Sequence, residues 1–530
     1  MFRSHLWNSV AGLLAAALAL AVAELLAGLL GTTSLVVVVG DYVVDHSPGS
    51  VTKSVIDVLG TKDKPALLWL IVASSLGIGA LLGPAAARRP NAGPAAFAVF
   101  AIVGVLAGAR LPEDGVVKTS LVAAAAAVAG VIALRMLVAA APAARNETAS
   151  EAGRPSEGSG GSRREFFRLA GAVGGAAALS AVVGRQIIGP RVDVEAARRA
   201  VVLPAAGVSN TPAQLASPSV AASDATFEID GLATLITPND EFYRIDTALV
   251  VPRVDVESWR LRVTGMVERP VELSFEDLLA MPAREETVTL ACVSNEVGGD
   301  LVGNAVWLGI PLADVLARAG VLPDATQIVA RSVDRFTVGF PTEVALDGRP
   351  SMVAVGMNGE PLPADHGFPA RMIIPGLFGY VSATKWLSEI ELTTVEDFDA
   401  YWIRRGWAKR APIKTQSRID VPRAGGTIDP GRAALAGVAW GGLRSISAVE
   451  VRVTRSGEPT GEWREASLSA ALSQSSWRQW FLEWDATPGE YRIEVRATDG
   501  NRETQTEDRA RPAPDGATGY HDIRVRVRDA

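Results

Sequence analysis

Apolar runs with at most one charge each fill much of the first 190 residues, whereas alternating polar and apolar positions prevail beyond residue 225. A helix that crosses a bilayer needs about 20 apolar residues. Four runs approach that length, at residues 10–30, 66–82, 92–109 and 121–141. We therefore predict a four-span α-helical membrane region over residues 1–141. The short apolar run 35–39 either extends the first span or lies at the membrane interface.

Positive charge marks one side of this region. Arginines precede the first run, separate the second from the third and follow the fourth: Arg3, Arg88, Arg89 and Arg145. Cytoplasmic loops carry an excess of lysine and arginine. The N-terminus, the 83–94 loop and the chain after residue 141 are therefore predicted to be cytoplasmic. Four lysines on the other side weaken this bias.

A paired arginine follows a polar segment. Residues 142–162 are small, polar and rich in Gly, Pro and Ser, which is typical of a flexible linker. Arg163 and Arg164 then precede two phenylalanines, a third arginine and an uncharged stretch over 169–184. This pattern resembles the twin-arginine export signal, and the alternative is a fifth span with ordinary cytoplasmic arginines. We predict a signal or fifth transmembrane helix over 163–190, followed by a folded module on the extracytoplasmic side.

The predicted exported module shows two different patterns of polar and apolar positions. Over residues 225–412, short alternating strands mix with helices that begin and end at capping residues, as at 274–279 and 311–320, which predicts an α+β domain. Over 413–530, runs that alternate at period two predict an all-β, immunoglobulin-like sandwich. Tryptophans in this second segment are expected to pack its core or an interface rather than bind a cofactor: Trp440, Trp463, Trp477, Trp480 and Trp484.

The composition of the chain excludes several classes of binding and metal site. The 530 residues include 51 Lys and Arg against 58 Asp and Glu, for a net charge of −7. Without a basic block, nucleic-acid binding is not expected. The single cysteine, Cys292, excludes an intramolecular disulfide, a multi-cysteine zinc site, an iron–sulfur cluster and CxxCH haem attachment. None of the four histidines lies in a candidate span, so no haem is predicted there.

Cys292 ends a predicted strand and precedes a glycine-rich loop. A thiolate is a soft ligand that suits a soft or high-valent metal, and a strand end beside a loop can expose it. The alternative is a buried, inert cysteine, which is the commonest fate of a lone free thiol. The cysteine alone does not decide between the two, so its neighbouring motifs carry the assignment.

Six ordered motifs lie in the exported module: TPNDEFY at 237–243, TLAC at 289–292 with Asn295, GNAVW at 303–307, VGMNGEPLPADHGFPAR at 355–371, PG at 375–376 and TKWL at 384–387. Together they resemble the sulfite oxidase family of molybdopterin enzymes, which includes plant nitrate reductase molybdenum domains and bacterial sulfoxide reductase subunits. The resemblance covers about residues 225–530. It implies a cofactor domain followed by a β-sandwich dimerisation domain, with a homodimer through the C-terminal domain as one arrangement.

The resemblance also implies Mo-molybdopterin as the cofactor, with Cys292 as the metal ligand. It implies pterin contacts for Asn239, Phe242, Tyr243 and Asp334. The phosphate end of the cofactor requires fixed donors and positive charge. The resemblance implies these for His366, Arg371 and Lys385, with the backbone amides of Ser382, Ala383 and Thr384. The alternatives are a turn cap for His366 and a surface strand position for Arg371.

Two departures from the family pattern concern the substrate. Sulfite oxidases carry an arginine five residues after the metal cysteine, where this chain has Val297. The substrate-side tyrosine of the family corresponds to Trp407. Arg404 or Arg405 is a candidate to approach the substrate, and surface solvation is the alternative for at least one of them. Because a small dianion needs several converging cations, these departures argue against sulfite.

The sequence therefore predicts a membrane-anchored, molybdenum-dependent oxidoreductase that transfers an oxygen atom to or from a small molecule. A sulfoxide or nitrate reductase-like subunit is one alternative. A membrane sensor or transporter subunit with a cofactor-binding domain is another. Because the chain lacks ligands for a second redox centre, electrons are expected to pass to or from a separate cytochrome or quinone-linked protein. Glu24, the single charge in the first run, either faces the helix bundle or marks a proton path.

Overall fold

The computed structural model describes residues 2–47, 55, 58–59, 62–108, 113–142, 163–188, 192–207 and 226–529. The chain divides into two compact units: Met1–Val192 with Ala248–Val250, and Asp193–Thr247 with Val251–Ala530. The first unit is helical and the second consists mostly of strands. Residues 143–162 of the predicted linker lie outside the described residues.

The described part of the first unit contains six long helices: α1 (Phe2–Leu30), α2 (Leu35–His46), α3 (Asp63–Arg88), α4 (Ala92–Gly108), α5 (Glu113–Ala140) and α6 (Arg163–Ile188). Four segments of these helices are long and apolar enough to cross a membrane: His5–Leu30, Asp63–Arg88, Val116–Ala140 and Arg163–Val183. The predicted span at 92–109 differs, because it forms the 17-residue helix α4. At 1.5 Å per residue, α4 is at the short limit for a hydrocarbon core of about 30 Å.

The apolar run 35–39 does not extend the first span. The chain leaves helix α1 at Gly31, whose φ is +63°. The Ser34 hydroxyl then accepts a hydrogen bond from the Val36 amide and caps helix α2. The run therefore begins a separate helix.

Small residues allow the first-unit helices to pack closely. A methyl group added to Gly12 of α1 would lie 2.0 Å from the carbonyl oxygen of Gly79 in α3, so these helices require glycine at their contact. Helix α6, which begins with the paired arginines, also packs against α1. Its Phe166 is 1% exposed, and the Phe166 ring lies edge-on to Trp7 with centroids 5.1 Å apart. The helix with the paired arginines is thus an integral part of this unit.

Among the described residues, the first part of the second unit contains ten strands in two sheets. The strands are β1 (Arg260–Gly265), β2 (Val271–Ser274), β3 (Arg284–Ala291), β4 (Val302–Pro311), β5 (Gln327–Ser332), β6 (Thr337–Pro341), β7 (Met352–Met357), β8 (Glu360–Pro361), β9 (Arg371–Ile373) and β10 (Leu387–Thr393). One sheet has the order β2-β1-β10-β5-β6, and the other has the order β3-β4-β7-β8 with β9 paired to β7. The two sheets place the ends of β3, β5 and β9 in the same unit. Residues at or beside these strand ends line the site described below.

Short helices connect these strands: α7 (Val194–Ala200), α8 (Phe275–Leu279), α9 (Leu312–Ala319), α10 (Thr342–Leu346) and α11 (Gly379–Ser382). The predicted start of α8 is confirmed, because Ser274 and Asp277 exchange side-chain and backbone hydrogen bonds in a capping box. The predicted limits of α9 are also confirmed. Pro311 precedes the helix, and Gly320 ends it at a φ of +70°, where glycine avoids the strain of a Cβ.

The C-terminal part consists mostly of strands: β11 (Gln416–Val421), β12 (Thr427–Ile428), β13 (Gly431–Trp440), β14 (Ile446–Arg455), β15 (Trp463–Glu465), β16 (Ser467–Leu468), β17 (Arg478–Ala486), β18 (Gly489–Asp499) and β19 (His521–Val527). They form two sheets, in the orders β11-β13-β17-β16 and β12-β19-β18-β14-β15. Apolar side chains from both sheets share one core. The immunoglobulin-like topology itself stays a prediction.

The tryptophans of this region pack as expected. Trp440, Trp477, Trp480 and Trp484 are buried, with Trp480 fully enclosed in the shared core. Trp463 is the exception, because the guanidinium groups of Arg452 and Arg496 lie 4.5 and 4.3 Å from the centroid of its ring. It therefore contributes cation–π contacts at the edge of the sheet rather than core packing.

Candidate active site

A cavity of about 110 Å³ lies beside the ends of β3 and β5 and against α11. One water needs roughly 15 Å³ by the same measure, so the cavity has room for part of a cofactor or a small ligand. Seven lining side chains are aromatic: Phe242, Tyr243, Phe336, Tyr380, Trp386, Trp402 and Trp407. The charged lining residues are Asp246, Asp334, Arg371 and Lys385, and the lining also includes Cys292. The cavity thus combines a thiol, two cations and an aromatic surface.

Cys292 stands directly after strand β3, whose antiparallel pairing with β4 sets its position. Its backbone amide donates to the carbonyl of Leu301 at 2.9 Å, and the Asn295 side chain accepts from the Leu301 amide at 2.9 Å. The intervening loop is therefore closed at its base. The side chain is buried, and burial raises the pKa of the Cys292 thiol. Without a metal the thiol is protonated at neutral pH, whereas a bound metal would deprotonate it.

Phe242 and Tyr243 form one wall of the cavity. Their rings are stacked with centroids 5.2 Å apart, and the Phe242 ring also meets Trp307 edge-on at 5.9 Å. A methyl group at Gly303 would lie 2.7 Å from the Phe242 ring. The glycine of the GNAVW motif is therefore needed for this ring to approach strand β4.

Two buried cations face the cavity from β9 and the segment before β10. The Arg371 guanidinium lies 4.8 Å from the Trp307 ring centroid and donates to the carbonyl of His366 at 3.0 Å. Lys385 Nζ donates to Asp246 Oδ2 at 3.0 Å and to the Asp365 carbonyl at 2.9 Å. Burial lowers the pKa of Arg371 to about 10 and that of Lys385 to about 8, the latter against the opposing effect of Asp246. An anion in the cavity would stabilise both charged forms.

Several buried polar atoms near these cations are unsatisfied. His366 Nε2 bonds to the carbonyl oxygen of Asn239 at 2.9 Å, which makes Nε2 the donor and leaves Nδ1 as the acceptor. Within the described residues, His366 Nδ1, Arg371 Nε and Thr384 Oγ1 find no hydrogen-bond partner. Because buried polar groups are normally paired, these three atoms indicate a ligand that completes the site.

The structure brings many of the sequence-predicted residues to the cavity: Phe242, Tyr243, Cys292, Asp334, Arg371, Ala383, Lys385 and Trp407. Asn239, His366, Ser382 and Thr384 do not line it. The Asn239 amide donates to Glu360 Oε1 at 2.5 Å, and the Ser382 hydroxyl donates to the carbonyls of Leu377 and Phe378 at 3.2 and 3.0 Å. The roles assigned to all these residues stay predictions.

The two arginines offered as substrate contacts do not reach the cavity. Arg404 and Arg405 belong to the short 3-10 helix Ile403–Arg405 and are both exposed. The Arg405 guanidinium lies over the Tyr401 ring, 3.6 Å from its centroid. The turn instead places Trp402 and Trp407 at the cavity, so it supplies aromatic surface rather than positive charge.

Some lining residues were missed in the sequence. Asp246 is the buried partner of Lys385, and Tyr380 and Trp402 complete the aromatic lining. Asp246 follows the TPNDEFY motif by three residues, but no local pattern pairs it with a lysine 139 positions away. Trp402 lies five residues before Trp407 in the sequence, and this proximity to a predicted site residue was the available signal.

Comparison with known proteins shows which class of enzyme this site belongs to. Residues 248–402 match the family described as "Oxidoreductase molybdopterin binding domain", and this range includes Cys292 and most of the residues that line the cavity. The chain is 32% identical over 294 residues to mitochondrial sulfite oxidase of Rattus norvegicus, covering 47% of this chain and 53% of the relative. It spans about half the length of such mammalian relatives. The site is therefore that of a molybdopterin-dependent oxidoreductase.

A second relative identifies the family. The chain is 30% identical over 284 residues to sulfite oxidase of Arabidopsis thaliana, covering 44% of this chain and 71% of the relative. This chain belongs to the sulfite oxidase family of molybdopterin oxidoreductases. Among solved structures, the sulfane dehydrogenase SoxCD of Paracoccus pantotrophus aligns with a TM-score of 0.47 and 22% identity, over 57% of this chain and 85% of that one.

The residues present fit the cofactor that this family binds. Molybdopterin is anionic and rich in hydrogen-bonding groups. The cavity offers two buried cations, and the unpaired polar atoms belong to Arg371 and to His366 and Thr384, which lie close to these cations in the chain. Within the described residues, no group of three or more His, Cys, Asp or Glu side chains is arranged to hold a metal ion. A metal here would accordingly depend on Cys292 and on ligands that the cofactor brings with it.

The His366 side chain makes the stability of the cofactor-free protein pH-dependent. Burial and the nearby cations Arg371 and Lys385 lower the pKa of His366 to about 4 from 6.5. Below pH 6.5 the unfolded chain therefore binds a proton that the folded chain does not, so stability is lost as the pH falls. At pH 5 this costs about 2 kcal/mol.

We expect His366→Gln, which retains a donor without a titrating ring, to remove this contribution. Between pH 7.5 and pH 5, the apparent melting temperature of the cofactor-free wild type should fall by a few degrees more than that of the variant. Thermal unfolding of both proteins at the two pH values measures the difference. Equal pH dependence in the two proteins would show that His366 is readily protonated in the folded state.

Proposed function

We propose that this protein catalyses a two-electron oxygen-atom transfer on a small molecule other than sulfite. The reaction has the form XO + 2e⁻ + 2H⁺ ⇌ X + H₂O, in either direction, so that a separate redox protein must supply or accept the electrons. The observation that carries the proposal is the cavity in which Cys292, Arg371 and Lys385 meet. No one of these groups would define the site without the other two.

Each of these residues has a distinct task in the proposed reaction. Cys292 would ligate molybdenum, and Arg371 and Lys385 would bind the anionic part of the cofactor. When bound, the cofactor supplies a metal that exchanges one oxygen atom and two electrons. Phe242 and Tyr243 exclude water from one side of the cavity and restrict where a substrate can lie. Burial raises the pKa of Tyr243, so its hydroxyl remains a donor at neutral pH.

The lining of the cavity supports a substrate other than sulfite. Val293 and Ser294 of the loop after Cys292 line the cavity, whereas Val297, which replaces the family arginine, does not. Arg404 and Arg405 are exposed outside it. The cations left at the cavity are Arg371 and Lys385, and both are needed for the cofactor. A sulfite dianion would therefore find few free donors.

The helical unit supports membrane anchoring, with the oxidoreductase unit on the extracytoplasmic side. Four segments long enough to span a bilayer and a paired arginine at the start of α6 carry this part of the proposal. Because α6 packs against α1 through Phe166 and Trp7, we propose that α6 is retained as a transmembrane helix and not cleaved. Intact mass and protease accessibility of the purified and membrane-bound protein test this. A chain that begins near residue 180, or a protease-protected active site, would contradict it.

Two further parts of the proposal concern partners. The electron carrier is a cytochrome or a quinone-linked protein, since the described residues offer no second metal site. The C-terminal strands are proposed to form an immunoglobulin-like sandwich that mediates a homodimer. Sedimentation of the detergent-solubilised chain separates monomer from dimer.

Metal analysis and a substrate screen test the enzymatic function. The purified full-length protein should contain about one molybdenum per chain and should reduce or oxidise at least one oxygen-atom acceptor or donor with a dye as redox partner. The screen covers sulfoxides, amine N-oxides, nitrate and sulfite. A protein without molybdenum after expression in a cofactor-producing host would contradict the proposal, and efficient sulfite oxidation would contradict the substrate assignment.

A further inference from the structure

The loop that follows Cys292 is in contact with the C-terminal strands. We name residues 293–300, which lie between β3 and β4, the cysteine loop; its first two residues line the cavity. A methyl group added to Gly298, whose φ is +79°, would lie 2.3 Å from the imidazole ring of His521. The cysteine loop therefore packs directly against the first residue of strand β19.

The imidazole ring of His521 is itself held in one orientation. The Ile419 amide of strand β11 donates to His521 Nδ1 at 2.9 Å, so the neutral ring carries its proton on Nε2. Burial lowers the pKa of His521, which keeps the ring neutral at neutral pH. Nε2 and Cδ2 are the ring atoms nearest to the position of an added methyl group on Gly298. The ring thus presents a fixed surface to the cysteine loop.

A second contact to the cysteine loop comes from Arg418 of strand β11. Its guanidinium donates to the carbonyl of Gly299 at 3.0 Å, and a charged donor makes a stronger hydrogen bond than a neutral one. The same guanidinium is paired with Asp420 at 2.6 Å, and the two side chains are only 13% and 10% exposed. Because this ion pair restricts the guanidinium, its bond to Gly299 also restricts the loop.

Strand β3, which ends just before Cys292, is bound by the same C-terminal region. It is an edge strand of its sheet. The Thr289 amide donates to the Ser475 carbonyl at 3.0 Å, and the Trp477 amide donates to Thr289 Oγ1 at 2.7 Å. The chain on both sides of Cys292 is thus held by residues that lie far from it in the sequence.

We infer that His521 and Arg418 are positioning residues, which hold the cysteine loop in the conformation that keeps the Cys292 thiol at the cavity. The C-terminal strands therefore have a task in the active site besides the proposed dimer contact. The consequence for turnover rests on the proposed role of Cys292 as the metal ligand, whereas the restraint on the loop does not. A ligand must be held within about 0.5 Å of its productive position, so a looser loop lowers turnover.

Alkylation of the folded, cofactor-free, full-length protein measures how often the loop opens. The chain has one cysteine, so the rate of reaction with iodoacetamide reports Cys292 alone. We expect His521→Ala to react at least about 10-fold faster than the wild type, and Arg418→Met to react faster by a smaller factor. These rates should stay constant at low urea concentrations, because a local opening exposes little surface.

Further variants separate positioning from general stability. Tyr491→Ala is the matched control, because Tyr491 is buried in the shared core and pairs with Val525 of β19, away from the cysteine loop. It should lower the melting temperature and leave the alkylation rate of the folded protein unchanged. His521→Asn keeps an acceptor for the Ile419 amide, and His521→Phe keeps a ring against the loop. Both should react at rates between those of the wild type and His521→Ala.

The molybdenum-containing protein gives a second readout. Turnover of His521→Ala should fall by about 10-fold or more at unchanged molybdenum content, which is the order found for residues that orient metal ligands. The electron paramagnetic resonance spectrum of the partly reduced protein should change in this variant and not in Tyr491→Ala, since only the former alters the surroundings of the metal.

The outcomes separate the inference from the proposed function. A wild-type alkylation rate in folded His521→Ala and His521→Phe would overturn the inference, as would a rate that rises with urea as steeply as global unfolding does. If the loop opens faster while the spectrum and turnover stay those of the wild type, the restraint on the loop stands and the proposed ligand role of Cys292 fails. A protein without molybdenum would overturn the proposed function and leave the alkylation result intact.

Discussion

Replacing Cys292 with serine is expected to reduce turnover by at least about 100-fold while leaving the fold intact. Substitution of residues that only support metal ligands costs about 10- to 100-fold, and loss of the proposed ligand itself should cost no less. The side chain is buried, and serine fits in the same space with a harder donor atom. Dye-linked turnover and molybdenum content of wild type and variant measure the effect.

The same cysteine offers a readout that does not depend on activity. Because the chain has one cysteine, every alkylated thiol is Cys292. Burial raises the pKa of the Cys292 thiol, so folded cofactor-free protein should react slowly with iodoacetamide and unfolded protein should react fully. Cofactor-loaded protein should be protected further. Rapid alkylation of the loaded protein, or full turnover by Cys292→Ser, would show that the thiol is not a metal ligand.

Replacing Lys385 with methionine is expected to reduce the bound cofactor by about 10-fold or more and also to destabilise the protein. The variant lacks one of the two cations at the cavity and leaves Asp246, with a side chain 6% exposed, without its nearest partner. Breaking a buried pair costs about 3–5 kcal/mol, and the remaining contact between Asp246 and Arg244 at 3.1 Å should reduce that cost. Molybdenum content and thermal unfolding give the two effects separately.

A second substitution distinguishes cofactor binding from structural pairing. In the double variant Asp246→Asn with Lys385→Met, the buried negative charge is gone, so stability should recover while the cofactor content stays low. Arg432→Met, which removes an exposed ion pair with Glu483, is the matched control and should change neither quantity. If the double variant regains the cofactor together with stability, Lys385 serves the fold and not the cofactor.

The pH dependence of cofactor retention follows from the same residue. Burial lowers the pKa of Lys385 to about 8, so the cation proposed to bind the cofactor is lost as the pH rises through that value in cofactor-free protein. Rebinding of the cofactor to wild type should therefore weaken between pH 7 and pH 9. Lys385→Arg should remove most of this dependence, because arginine keeps its charge over that range.

Local features of this protein were predictable from the sequence. The capping box at Ser274 and Asp277 and the glycine that ends α9 depend on residues within a few positions of each other. The spans of α1, α3 and α5 follow from long apolar runs that contain at most one charge each. Helix α4, with 17 residues, is at the short limit for a span. The run 35–39 does not extend the first span, because Ser34 caps a separate helix there.

The family and the cofactor were also determined by the sequence, because six ordered motifs around Cys292 are specific enough to identify them without coordinates. The geometry of the cavity was decided only by the tertiary structure. Lys385 pairs with Asp246 across 139 positions. The cavity rings of Phe336, Tyr380, Trp402 and Trp407 come from three segments that no period in the sequence connects. The short helix Ile403–Arg405 leaves its two arginines exposed and presents Trp402 and Trp407 to the cavity. The direction of a side chain in such a turn depends on the residues that pack around it. That packing determines whether the turn presents arginines or aromatic rings to the cavity.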